Sequence, residues 1–91
     1  MLARRSYVEI VHDILEMDSG PKTHIMYRTA LTYPQAMRYI RDLSDRGLIS
    51  KARNDSGRDI YRVTPKGREL CKHIGLVMEG LGLGDYDVES Q

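Results

Sequence analysis

The tetrad Thr32-Tyr33-Pro34-Gln35 constrains this chain more than any other four residues. A Thr followed three residues later by Gln makes a capping box. The Thr hydroxyl accepts from the amide of the third helical residue, and the Gln side chain accepts from the amide of the Thr. Proline suits the first helical turn, where its missing N–H would have had no partner. A helix therefore opens at Thr32 and runs to about Arg46, where Gly47 suits the left-handed position that ends a helix. Immediately upstream, "KTHIMYRTAL" reads as a second helix with Thr23 as N-cap and Ile25, Met26 and Leu31 turned inward. Two helices with almost nothing between them have to cross at a tight corner.

That corner is a helix-turn-helix candidate. Before it, "SYVE" forms another capping box, and Val8, Val11 and Leu15 beside Ile10, Ile14 and Met17 make a wide apolar stripe on a first helix. Ser19-Gly20-Pro21 breaks that helix. After Gly47 the period changes: "LISKARN" and "DIYRV" have strand composition, and "NDSG" supplies turn chemistry between them. Tyr61 and Val63 alternate with Arg62 and belong to the core. Thr64-Pro65 then restarts helix, with Leu70, Ile74, Val77 and Leu81 as a short seam flanked by Cys71 and Met78. The order is that of a winged helix: mostly helical α+β, with three helices, a hairpin wing and a C-terminal helix. The expected division is residues 1–64 for the winged helix, 65–81 for the C-terminal helix and 82–91 for an acidic flexible tail.

Net charge is only +1, but it is unevenly spread. Residues 21–75 carry twelve Lys and Arg against five Asp and Glu, a net of +7, between ends of −2 and −4. A basic middle between acidic ends is the distribution of a chain that lays one face on a polyanion. One cysteine, Cys71, leaves no intramolecular disulfide and points to a reducing compartment. No apolar run approaches the roughly 18 residues of a membrane span, and "MLARRSYVEI" lacks the apolar stretch of a signal peptide. The expected setting is the cytoplasm.

The residues at the corner also carry a resemblance. "GPKTHIMYRTALTYPQAMRYIRDLSDRGLI" resembles the small archaeal winged-helix DNA-binding proteins, in which Lys-Thr-x-Ile-Met-Tyr precedes a Leu-Ser/Thr-Tyr corner. "IYRVTPKGREL" resembles the Tyr-x-x-Thr-x-Lys-Gly-x-x-Leu ending that many winged helices share. Within that group the likeness is to the chromatin-associated subgroup, whose members dimerise through a long C-terminal helix in an antiparallel coiled coil. The resemblance implies double-stranded DNA binding as a transcriptional regulator or nucleoid protein, a homodimer, and neither metal nor cofactor. Here the terminal helix is shorter and interrupted by Gly75 and Gly80, and the hairpin loop is fuller than the subgroup's wing.

The third helix holds the expected readers. With Ala36, Ile40 and Leu43 turned inward, Arg38 and Arg41 lie about 200° and 140° away from Ala36, on the outer face. Tyr33, Gln35 and Arg38 occupy the turns that approach base edges, with Thr32 and Arg41 beside them. Gln suits adenine and Arg suits guanine. Arg38–Asp42 and Arg41–Asp45 are also i,i+4 pairs, each worth about 0.2–0.5 kcal/mol to a helix. Lys22, Thr23 and the amides opening the second helix suit a phosphate, with His24 and Arg28 on the same face. Lys51, Arg53 and Arg58 rim the hairpin. Leu70, Ile74, Val77, Met78 and Leu81 form the expected dimer interface. His12, His24, His73 and Cys71 lack the spacing of a metal site, and Cys71 reads as a buried structural thiol. No phosphate loop, nucleophile elbow or small-molecule pocket is evident, so no enzyme is expected. One alternative stays open: a winged helix that engages only proteins, its basic middle meeting an acidic partner.

Overall fold

Helix α1 (Tyr7–Glu16) begins where its cap puts it: the Ser6 hydroxyl accepts from the Glu9 amide, and the Glu9 carboxylate accepts from the Ser6 amide. The computed structural model describes residues 6–82. In chain order α1 is followed by β1 (Ser19–Gly20), α2 (Lys22–Thr29), α3 (Tyr33–Asp45), β2 (Ile49–Arg53), β3 (Asp59–Val63) and α4 (Pro65–Gly80). Of the expected acidic tail, residues 83–91 lie outside the described residues.

The α2–α3 corner is as tight as its residues require. Thr29 is buried, its hydroxyl bonded back to the Ile25 carbonyl at 2.7 Å. Ala30 takes a left-handed conformation, φ 60°, to turn the chain. Thr32 and Gln35 then close the expected box. The far end of α3 closes with equal definition. Gly47 (φ 75°) donates to the Ser44 carbonyl, and Leu48 donates to the Leu43 carbonyl. These two bonds form a Schellman motif, and its hydrophobic pair, Leu43 and Leu48, is buried.

Three local expectations are corrected. Thr23 is not the cap of α2: Pro21 is, with no side-chain cap bond, because its extended backbone lets its own carbonyl accept from His24 and Ile25. Ser19-Gly20 does not merely break the chain. It pairs antiparallel with Tyr61 and Arg62 as a third strand, giving the order β1-β3-β2. Val8 is 45% exposed rather than part of the stripe, because the buried face of α1 is set by Ile10, Val11, Ile14 and Leu15.

The core joins that face to Ile25, Ile40, Leu43, Leu48, Ile49, Tyr61 and Val63. Ile14, Ile25 and Leu43 are its fully buried centre, each such side chain contributing about 1.5–3 kcal/mol. The sheet register puts Ile49 opposite Val63 and Lys51 opposite Tyr61, so Ile49, Tyr61 and Val63 share the core face. Tyr7 ties α1 to α3, its ring stacked on Tyr39 at 5.5 Å and its hydroxyl donating to Asp42 Oδ2 at 3.0 Å.

Four bonds bind the end of α3, the start of β2 and the start of α4. The Thr64 amide donates to the Leu48 carbonyl, and its hydroxyl donates to the Gly47 carbonyl at 2.7 Å. The same hydroxyl caps α4 by accepting from the Gly67 amide, while Lys66 Nζ donates to the Arg46 carbonyl at 2.9 Å. Gly67 is buried there, and a Cβ on it would overlap the Leu48 carbonyl oxygen and lie 2.9 Å from Val63 Cγ1.

Gly67→Ala is therefore expected to lower stability by about 1–3 kcal/mol in a denaturant titration, the range for overpacking. Ala30→Gly should leave stability unchanged or raise it by up to about 1 kcal/mol, since it relieves a left-handed Ala. A second expectation concerns alkaline pH. The bond to Asp42, and secondarily burial, raise the Tyr7 phenol above its ordinary value of 10.0. The folded state thus holds that proton more tightly than the unfolded chain. The contribution of the tie is complete below about pH 10 and is lost as pH rises through the folded-state value. In an absorbance titration of the six tyrosines, Tyr7→Phe should remove a late component. Curves that superimpose after scaling would refute this.

Candidate nucleic-acid interface

The outer face of α3 follows from its buried one. Ala36, Ile40 and Leu43 are buried, which leaves Arg38 and Arg41 exposed as the periodicity requires. Tyr33 is half-exposed at the start of the helix, with Lys22 Nζ 5.4 Å from its ring centroid. A cation over an aromatic face contributes roughly 0.5–1 kcal/mol at an exposed site, enough to hold α2's first residue beside α3's first. Thr32 and Gln35 have a different duty. The Gln35 side-chain oxygen accepts from the Thr32 amide at 3.0 Å, so a bidentate contact with adenine competes with the cap.

The two expected ion pairs of α3 do not form. Asp42 Oδ1 is held by Arg46 Nε at 3.1 Å, and Oδ2 by the Tyr7 hydroxyl. Both oxygens are engaged, and neither by Arg38. Among the described residues no ion pair involves Arg38, Arg41, Lys22 or Arg58. Arg28 also departs from expectation. It turns to α1, where Nε donates to the Asp13 carbonyl at 3.2 Å and a terminal nitrogen lies 3.3 Å from Glu16. It is a strut between α1 and α2 rather than a free cation.

Lys22 and Thr23 stay exposed at the start of α2, and so does Tyr27, at 89%. Tyr27 escaped the sequence analysis. Its signals there were its place in the Lys-Thr-x-Ile-Met-Tyr segment and a spacing of four from Thr23, which puts both on one helix face.

In the hairpin, the tip is built around Asn54. Its side-chain oxygen accepts from the amides of Ser56 and Arg58 at 2.9 and 3.0 Å, and Gly57 takes φ 82°. Asp59 lies 3.5 Å from Lys51 and 3.7 Å from Arg53, leaving Arg58 as the unpaired cation of the tip. Such exposed pairs are worth at most about 1 kcal/mol and open readily. A groove of about 570 Å³ runs between α3 and the hairpin, with Arg41 on its helical wall and Lys51 on its strand wall.

The C-terminal helix divides its seam. Leu70 and Ile74, with Cys71, pack partly against the chain's own core, where α1 and α4 meet. Val77 and Leu81 are 57% and 70% exposed, with Leu76 alongside at 58% and Met78 half-buried. Burial, and then Glu16, raise the Cys71 thiol above its ordinary value, which keeps it protonated and unreactive. On α1, donor atoms of His12, Asp13 and Glu16 lie within 4.8 Å of one another, but the Arg28 guanidinium already sits on Glu16. Among the described residues no helix is long and apolar enough to cross a membrane.

The winged helix-turn-helix family profile matches residues 4–80. Among solved structures, Sso10a-2, a DNA-binding protein from Sulfolobus solfataricus, is 27% identical with a TM-score of 0.73, over 94% of this chain and 95% of that one. The transcriptional regulator BldR from Sulfolobus solfataricus is 20% identical with a TM-score of 0.75, over 90% of this chain and 61% of its own. PcaV, a transcriptional regulator from Streptomyces coelicolor, is 20% identical with a TM-score of 0.73, over 97% of this chain and 63% of its own. At that identity the last two speak to fold alone, and this chain spans about three fifths of each. No curated protein sequence matches. The profile match, together with the cornered helices and the hairpin, makes this chain a member of the winged helix-turn-helix family.

Proposed function

We propose that this chain binds double-stranded DNA as a homodimer, laying the outer face of α3 in a major groove and the hairpin on the flanking backbone, and acts as a transcriptional regulator or nucleoid protein. The observation that carries the reading is the outer face of α3. Arg38 and Arg41 stand exposed and unpaired there, while the neighbouring Asp42 is engaged by Arg46 and by the Tyr7 hydroxyl. A helix built only for solubility gains from pairing its own charges. This one leaves two cations free on the face that helix-turn-helix docking turns toward a groove. The likeness to Sso10a-2, which extends over nearly the whole of both chains, supports the same reading.

Each residue then has a role. Arg38, with Tyr33, approaches the base edges, and Arg41 and Lys51 follow phosphates along the groove between helix and hairpin. Lys22, Thr23 and the open amides of α2 take a phosphate, and Arg58 reaches the backbone from the wing tip. Thr32 and Gln35 hold the corner instead of reading. Phosphate contacts provide most of the affinity and α3 provides the sequence preference. A second copy covers Leu76, Val77 and Leu81, the apolar residues that α4 leaves outside the core, with Met78 at their edge. Leu70 and Ile74 contribute less to that seam, since they are partly spent on the fold.

Two measurements test this. Affinity for random duplex DNA should fall with salt at a log–log slope of about −5, as for roughly six phosphate contacts, and Arg38→Ala and Arg58→Ala should each weaken binding. No binding at micromolar protein in low salt would instead favour a module that engages only proteins. Val77→Glu should give monomers in light scattering while leaving the thermal melt of the fold intact. An unchanged dimer would put the interface elsewhere.

A further inference from the structure

We propose that Tyr7 is a positioning residue for DNA binding: by holding Asp42 Oδ2 from α1, it keeps Arg38 free to engage nucleic acid. The inference rests on the DNA-binding reading above. Three observations meet at this point. Asp42 has two carboxylate oxygens, and each is engaged, Oδ1 by Arg46 and Oδ2 by the Tyr7 hydroxyl at 3.0 Å. Arg38 sits one turn before Asp42, the spacing at which opposite charges pair on a helix, yet it makes no such pair. Tyr7, Arg38, Tyr39 and Asp42 nevertheless line one groove of about 410 Å³, so Arg38 is beside the carboxylate it does not bind.

The phenol is suited to this task. It donates one hydrogen bond to the carboxylate and carries no charge of its own, so it occupies Oδ2 without adding a competing cation. Its ring is fixed by the stack on Tyr39, which belongs to α3, so the hydroxyl and its target move together. A Phe at position 7 keeps that stack and loses only the donor. Oδ2 is then vacant, and the free donor within reach on the same groove is the Arg38 guanidinium. Its capture removes one cation from the DNA face. Arg46 alone does not prevent this, since it binds the other oxygen through Nε.

The test is a double-mutant cycle read by fluorescence anisotropy on random-sequence duplex DNA at fixed salt. Tyr7→Phe should weaken binding by roughly 1.5- to twofold, the scale set by one i,i+4 pair that has to open before Arg38 meets DNA. Asp42→Asn should bind at least as tightly as the wild type, and adding Tyr7→Phe to it should change nothing further. The loss caused by Arg38→Ala should be smaller in the Tyr7→Phe background than in the wild type. A thermal melt of each variant separates lost fold from lost positioning. Equal weakening by Tyr7→Phe with or without Asp42 would mean that Tyr7 acts through helix packing, and the proposal falls. Wild-type binding with an unaffected Tyr7→Phe overturns this inference alone. A wild type that binds no duplex DNA overturns the proposed function and this inference together.

Discussion

The hydrogen bonds that converge on Thr64 hold the rest of the structure in place. One side chain caps α4 and bonds the Gly47 carbonyl, while its amide bonds Leu48. Because Gly47 and Leu48 also close α3, this junction sets where the hairpin leaves that helix and where α4 returns to it. Gly67 permits it: any side chain there would collide with the Leu48 carbonyl, and α4 would have to swing outward. The spacing between α3 and the hairpin, and so the groove between Arg41 and Lys51, follows from backbone contacts at Gly47, Leu48 and Thr64 rather than from either charge.

Around this frame the acidic residues decide which cations remain available. Glu16 takes Arg28, Asp18 takes Arg68, Asp42 takes Arg46, and Asp59 lies between Lys51 and Arg53. The unpaired remainder includes Lys22, Arg38, Arg41 and Arg58. These stand at the start of α2, on the outer face of α3 and at the wing tip. A basic middle of twelve Lys and Arg is thereby reduced to a narrower set of available cations. Arg62 on β3 and Lys72 on α4 are likewise exposed and outside these pairs.

The fold was legible wherever one residue's hydrogen bond decides an outcome locally. Ser6 with Glu9, Thr32 with Gln35, and Thr64 before Pro65 each announce a helix start within four residues, and Gly47 announces an end. β1 was not legible: two residues have no period, and Ser19-Gly20 becomes a strand only because β3 offers an unpaired edge. The site was legible in part. The exposure of Arg38 and Arg41 follows from the angular position of Ala36, Ile40 and Leu43. Their freedom from Asp42 and Asp45 does not, because the competitor for Asp42 is Tyr7, 35 residues earlier.

What the sequence determined by itself is therefore the kind and order of the helices and the hairpin, most of their inward faces and the uneven distribution of charge. Caps and periodicity act over a single turn and need no distant partner. The tertiary structure alone decided partnership: that Arg28 is a strut, that Asp42 is held by Tyr7 and Arg46 rather than by Arg38, and that Leu70 and Ile74 are partly spent on the chain's own core while Val77 and Leu81 are not. The physical reason is one of scale. A flexible charged side chain chooses among neighbours that differ by fractions of a kcal/mol, and an apolar seam serves whichever surface reaches it first. Both choices depend on which elements the fold has already brought near.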